Sequence, residues 1–98
     1  MVRVLSQPRN EREAQQFTDL MQERLTLSPE QYTRVFEINI EAAKKTSEAL
    51  QQTSDQIIVK QKLESIREQI DTYLLEILST LQWKAWIELD EELNGHES

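Results

Sequence analysis

The 98-residue chain has no cysteine, one glycine, two prolines and one histidine. Without cysteine there is no disulfide, no thiolate nucleophile and no Cys-based zinc site. So little glycine and proline leaves almost nothing from which to build hairpin turns, which excludes most small β folds. No apolar run approaches the ~20 residues of a membrane span. The opening MVRVLSQPRN also lacks the apolar stretch of a signal peptide. Positive charge is scarce too. Eleven Lys and Arg against eighteen Asp and Glu give a net charge of −7. Nucleic-acid binding and adsorption to an anionic membrane both begin with a basic face, so neither partner is expected. The acidity is uneven, with −6 of the −7 carried by residues 50–98. No Gly-rich phosphate loop and no nucleophile–base pair is visible, so the chain is not read as an enzyme and no cofactor is expected.

What is present is helix-forming: Glu, Gln, Leu, Ala and Lys with short polar interruptions. The chain reads as all-α, one domain over residues 10–94, between a flexible N-terminus (1–9) and a frayed tail (95–98). Four helices are expected, over about 10–24, 28–51, 54–78 and 79–94. Asn10 and Glu13 form a capping-box pattern that opens the first, which carries Phe17, Leu20 and Met21 on one face. Ser28 caps the second, with Pro29 at N1, Gln31 reaching back, and Leu27 and Tyr32 placed as a hydrophobic staple. Its apolar stripe runs Tyr32, Val35, Phe36, Asn39, Ala43, Thr46, Ala49 and Leu50. Thr53 and Gln56 offer a further box. No Gly or Pro marks that boundary, so a single long bent helix stays open as an alternative. Val59, Leu63, Ile66, Ile70, Tyr73 and Ile77 alternate spacings of four and three, a coiled-coil-like seam that buries itself against the second helix. Ser79 with Gln82, stapled by Leu78 and Trp83, opens the last helix, and Gly95 is suited to end it. Trp83, Trp86, Ile87 and Leu93 share one face there. The two middle helices make a long hairpin, and so thin a core gives a reason for a second copy to pair with it.

Both well-marked helix starts read Leu-Ser-x-x-Gln: Leu27, Ser28 and Gln31, then Leu78, Ser79 and Gln82, 51 residues further on. On their own terms these residues are structural caps. As a pair they resemble the LTXXQ motif, which occurs twice in the Spy/CpxP family of periplasmic stress proteins, with Ser in place of Thr. The resemblance spans roughly Phe17–Leu93. It implies four helices dominated by a long antiparallel hairpin, with two chains forming a cradle-shaped homodimer. It also implies a periplasmic location, with a signal peptide already removed from this chain, and ATP-independent binding of unfolded or envelope proteins as clients. Two other readings stay open: a metal- or stress-sensing domain on the same fold, and a cytosolic helical adaptor acting by coiled-coil pairing.

Five apolar residues are candidates for a client or dimer surface. Ile57 and Leu75 fall on one line opposite the third-helix seam, and Ile38 lies off the second-helix seam. Trp83 and Trp86 read either as a stacking platform or as packing at the end of the hairpin beside Tyr73 and Phe36. The carboxylates Glu88, Asp90, Glu91 and Glu92 read as a solvated acidic face. Neither they nor His96 in the tail has the spacing of a metal site, and no metal is expected.

Overall fold

The computed structural model describes residues 8–94, with side chains through 93. They form four helices: α1 (Glu11–Leu25), α2 (Pro29–Gln52), α3 (Gln56–Ile77) and α4 (Thr80–Asn94), and no strand occurs among them. The expected stop at Gly95 and the tail 95–98 lie outside the described residues, as do residues 1–7. Pro8 and Arg9, expected in a flexible terminus, are held: Pro8 is buried, and the Arg9 N–H donates to Glu13 Oε1 at 2.9 Å.

Local chemistry sets the helix ends. Asn10 Oδ1 accepts the Glu13 N–H at 2.8 Å, the forward half of the expected box. The return half differs, because the Glu13 carboxylate takes the N–H of Arg9 rather than that of Asn10. α1 stops at Thr26, which adopts φ 57° and ψ 60° while its N–H bonds Gln22 O. With its lone glycine far off, the chain puts a β-branched residue in the left-handed region, where it is strained. Between α2 and α3 the expected Thr53 cap is corrected. Thr53 ends α2, and its Oγ1 accepts the Asp55 N–H at 3.0 Å. Asp55 is the cap of α3, accepting from the N–H groups of Ile57 and Ile58. A carboxylate at this end also complements the helix dipole, which neutral Thr53 cannot do. The chain therefore breaks for three residues, 53–55, and α2–α3 is a true hairpin rather than one bent helix.

α2 packs closely against both α1 and α3, and α4 packs against α1. The shortest dimension, 21 Å, is two helix diameters. One layer is the α2–α3 hairpin; α1 and α4 form the other and cover one of its faces. A single core runs through both layers, with Met21, Val35, Ala42, Leu63, Ile70, Leu74, Trp86 and Leu89 at its centre. Asn39, buried on the α2 stripe, is satisfied. Its Nδ2 donates to Thr18 Oγ1 at 2.9 Å, and Thr18 Oγ1 donates to Ala14 O at 2.7 Å.

Three packing expectations are corrected. On α3 the seam passes through Leu74 (1% exposed), while Tyr73 is half exposed at 51%. A straight helix of 3.6 residues per turn drifts from a 3.5-residue pattern, and after Ile70 the inward position falls one residue later. On α4, Leu89 rather than Ile87 points inward. On α2, Leu50 lies at the exposed end of the stripe.

Trp86 fills the space between α3 and α4, whose backbones do not approach closely. Its indole N–H donates to Asp71 Oδ1 at 3.1 Å, Phe17 meets it edge-on at 6.0 Å, and the Arg67 guanidinium lies 5.0 Å from its ring centre. Arg67 also pairs with Asp71 and Asp90. A further ion pair, Arg24–Glu92, ties α1 to the far end of α4.

Two predictions follow from these ends and contacts. Replacing Thr26 by Gly relieves a left-handed strain of about 1–3 kcal/mol at an unfolded-state cost of about 0.4–1 kcal/mol. Thr26→Gly should therefore leave the urea midpoint unchanged or raised. A clearly lower midpoint would count against the strain. The second concerns Tyr32, whose Oη donates to Asp19 Oδ1 at 2.6 Å. That bond, then burial and the Asp19 charge, raise the phenol above its ordinary value of 10.0. The neutral phenol is the form favoured by folding, so its stabilisation is complete below pH 10 and disappears as pH rises through the raised value. In a Tyr73→Phe background, Asp19→Ala should move tyrosinate absorbance to lower pH.

Candidate protein-binding face and the paired motifs

Each Leu-Ser-x-x-Gln segment closes a complete capping box. Gln31 N donates to Ser28 Oγ at 3.1 Å and Ser28 N to Gln31 Oε1 at 2.9 Å. The second copy repeats this, with Gln82 N to Ser79 Oγ at 3.2 Å and Ser79 N to Gln82 Oε1 at 2.9 Å. Beyond capping, the two motifs meet. Gln31 Nε2 donates to Gln82 Oε1 at 2.8 Å, and Gln82 Nε2 returns to Gln31 Oε1 at 3.0 Å. Each amide then reaches a carbonyl two residues before the other motif's serine: Gln31 to Ile77 O at 3.0 Å, Gln82 to Thr26 O at 3.3 Å. The connectivity is that of a local two-fold axis between the two amides. Each oxygen accepts twice and each nitrogen donates at least twice, which fills the capacity of a primary amide. Leu27 and Leu78, the residues before the caps, are buried beside this clasp. Strained Thr26 has a purpose here, since its turn aims the carbonyl that Gln82 uses.

Among the described residues, none covers the hairpin face away from α1 and α4. Between α2 and α3 it carries a groove of about 220 Å³. Ile38, Ala42, Ile66, Ile70 and Ile77 form its floor, with half-exposed Tyr73 at its edge. Arg34, Glu37, Glu41, Lys45, Gln69 and Glu76 stand around it. Lys45 Nζ spans it to Gln69 Oε1 at 2.9 Å. The groove thus combines a shallow apolar strip with charges of both signs.

The five candidate surface residues do not lie together. Ile38 belongs to this groove, half-buried against the core. Ile57 and Leu75 are 71% and 57% exposed, but Leu75 is ~200° around α3 from Tyr73, on another side. They are also about 27 Å apart along the helix, with Gln61, Glu64 and Glu68 exposed between them. They make no continuous patch. Trp86 is 1% exposed and is core, among Phe17, Arg67 and Asp71. Trp83 is half-buried against the same core. Sequence reasoning missed Tyr73 as a surface residue, having placed it in the seam. It also missed Leu81, 78% exposed at the start of α4, and the Gln31–Gln82 contact.

Within the acidic stretch of α4, Asp90 and Glu92 are engaged by Arg67 and Arg24, and hydrogen bonding from Arg24 lowers the Glu92 carboxyl below its ordinary value. Among the described residues no group of three or more His, Asp or Glu is placed to hold a metal ion, and no helix is long and apolar enough to cross a membrane. No family model, curated protein or solved structure matches the chain.

The clasp changes what substitutions should cost. Read from the sequence, Gln82→Ala costs less than Ser79→Ala, because the reciprocal bond of a capping box is partly exposed. The half-buried amide pair reverses that order. Ser79→Ala should cost on the order of 1 kcal/mol. Gln31→Ala and Gln82→Ala should each cost about 1–3 kcal/mol, since each strands a partner amide. The double variant should fall short of additivity by at least about 0.5 kcal/mol. Urea unfolding of the four chains measures the cycle, and strict additivity would show that the two amides do not act together.

Proposed function

We propose that this chain is a binding protein that shields partly unfolded proteins without a nucleotide cycle, similar in manner to the Spy/CpxP family. The observation that carries the proposal is the uncovered α2–α3 face, where an isoleucine-floored groove is ringed by charges. Such a surface suits weak, reversible contact with short apolar segments. The strip is too shallow to enclose a folded ligand, and the rim charges keep the free protein dispersed. The doubled Leu-Ser-x-x-Gln motif, at the two helix starts that hold the fold together, supports the same reading. The periplasm as location and a homodimer as assembly belong to this proposal. A second copy would lengthen the available face.

The net charge of −7 constrains the clients. Attraction at long range should favour basic ones and fade as salt approaches ~0.15 M, where the Debye length is about 8 Å. Apolar contact in the groove should persist at that salt. The test is light scattering of one basic and one acidic denatured client, at low and physiological salt, with stoichiometric protein and no ATP. Suppression of aggregation is expected, strongest for the basic client at low salt. Tyr73→Glu, at a half-exposed position, should weaken suppression while leaving helicity intact. Ile57→Ser with Leu75→Ser, away from the groove, should leave it unchanged. No suppression of either client at either salt would remove the proposal.

A further inference from the structure

The α2–α3 hairpin packs through positions that continue in phase across the break between its helices. Val35, Ala42 and Ala49 line the α2 side; Leu63, Ile70 and Ile77 line the α3 side. These positions are all multiples of seven residues apart, with Gln56 the one member of the series at the connection. The companion series Ile38, Lys45, Gln52, Val59, Ile66 and Tyr73 has the same spacing, but it is polar at Lys45 and Gln52 and gives way to Leu74 at its end. A seven-residue spacing kept through the connection lets one continuous helix present the same face on both sides of residues 53–55.

We infer that the connection 53–55 is an exchange hinge. Straightened into helix, it joins α2 and α3 into one rod that pairs antiparallel with a second copy. The first two helices of one chain then pack on the last two of the other. Every contact that closes the hairpin is reused. Lys45–Gln69 and Lys62–Gln52, which set a single antiparallel register across it, form between chains. The Gln31–Gln82 clasp does the same.

The hinge chemistry is close to balanced. Thr53, Ser54 and Asp55 are weak helix formers, yet none is Gly or Pro, and none of the three has a positive backbone φ, so nothing forbids the helix. What holds the break open is local: the Asp55 cap on Ile57 and Ile58, and the Thr53 bond to Asp55 N–H. Straightening gives these up and gains continuous backbone hydrogen bonds. The division of contacts favours exchange. α3 packs on α2 and α4 on α1, while α3 and α4 do not approach each other closely, so the second half docks on the first more than on itself. This inference concerns pairing of copies and is independent of client binding.

The absence of cysteine makes the test simple. Lys45→Cys with Gln69→Cys places two thiols across the hairpin, and a short thiol-reactive cross-linker joins them. In the closed monomer the link stays within one chain. In the exchanged dimer it joins two, giving a covalent species of twice 11.6 kDa on a denaturing gel. A short connection gives the hairpin an effective concentration of order mM, so refolding at about 1 mM protein should let exchange compete. The interchain fraction should rise with refolding concentration. It should become the major product when Thr53, Ser54 and Asp55 are all changed to Ala. Ser54→Pro, which forbids a helix through the hinge, should abolish it while circular dichroism stays unchanged. Intrachain links alone, in the parent at about 1 mM or in the triple-alanine variant, overturn the inference. So does an interchain fraction that Ser54→Pro does not reduce, which would mark side-by-side association instead.

Discussion

Two glutamine side chains hold the ends of this fold in register. Gln31 and Gln82 each cap a helix, each bind the other, and each tie down a carbonyl from the turn opposite. Four chain segments therefore meet at one point: the end of α1, the start of α2, the end of α3 and the start of α4. A primary amide is the only neutral side-chain group with two donors and two acceptor lone pairs, and here that capacity is filled on both sides. A carboxylate at either position could accept from the serine N–H but could not donate across to its partner. The hydrophobic core supplies the bulk of the stabilisation, yet it is non-directional. The amide pair is what selects the arrangement of the two turns.

The two halves are alike at their turns and unlike along their helices. Val35 and Trp86 occupy equivalent positions, each seven residues past its capping serine. Valine lets α1 and α2 approach closely. Tryptophan holds α3 and α4 apart and brings Arg67, Asp71 and Phe17 into the space it opens. One face of the hairpin is thereby roofed by a layer whose two helices sit at different depths. The other face is left bare by the described residues, and the proposed binding groove lies there.

Helix number, type and most boundaries are legible in the sequence because capping is local. Ser28, Pro29 and Gln31 decide a boundary among themselves, as do Ser79 and Gln82. Where two capping residues stood two positions apart, at Thr53 and Asp55, the local pattern was ambiguous, and charge at the helix end chose Asp55. The seam was legible to Ile70 and then slipped, since spacing alone does not say whether a helix coils to keep a 3.5-residue period or runs straight. Leu74 took the inward place and Tyr73 turned outward, which moved an aromatic onto the candidate face. The Gln31–Gln82 contact depends on which turns are adjacent in space, and no local rule encodes that. Its only trace in the sequence is that both boxes use Gln, which can donate as well as accept, rather than Glu.

The two ends of α4 are fastened by different kinds of bond. Its start is held by amides, which carry no proton that comes or goes across the range in which proteins are ordinarily handled. Its far end is held by Arg24–Glu92 and Arg67–Asp90, where the acceptors are carboxylates. Protonating Glu92 removes one of these acceptors and leaves the amides untouched, and that carboxyl, lowered by hydrogen bonding from Arg24, is protonated only after ordinary exposed glutamates. Only acid stronger than that would loosen this helix, and it would do so from the tip inward, as a flap fixed at one edge. The roof that carries Trp86 would lift at its edge before the turns themselves came apart.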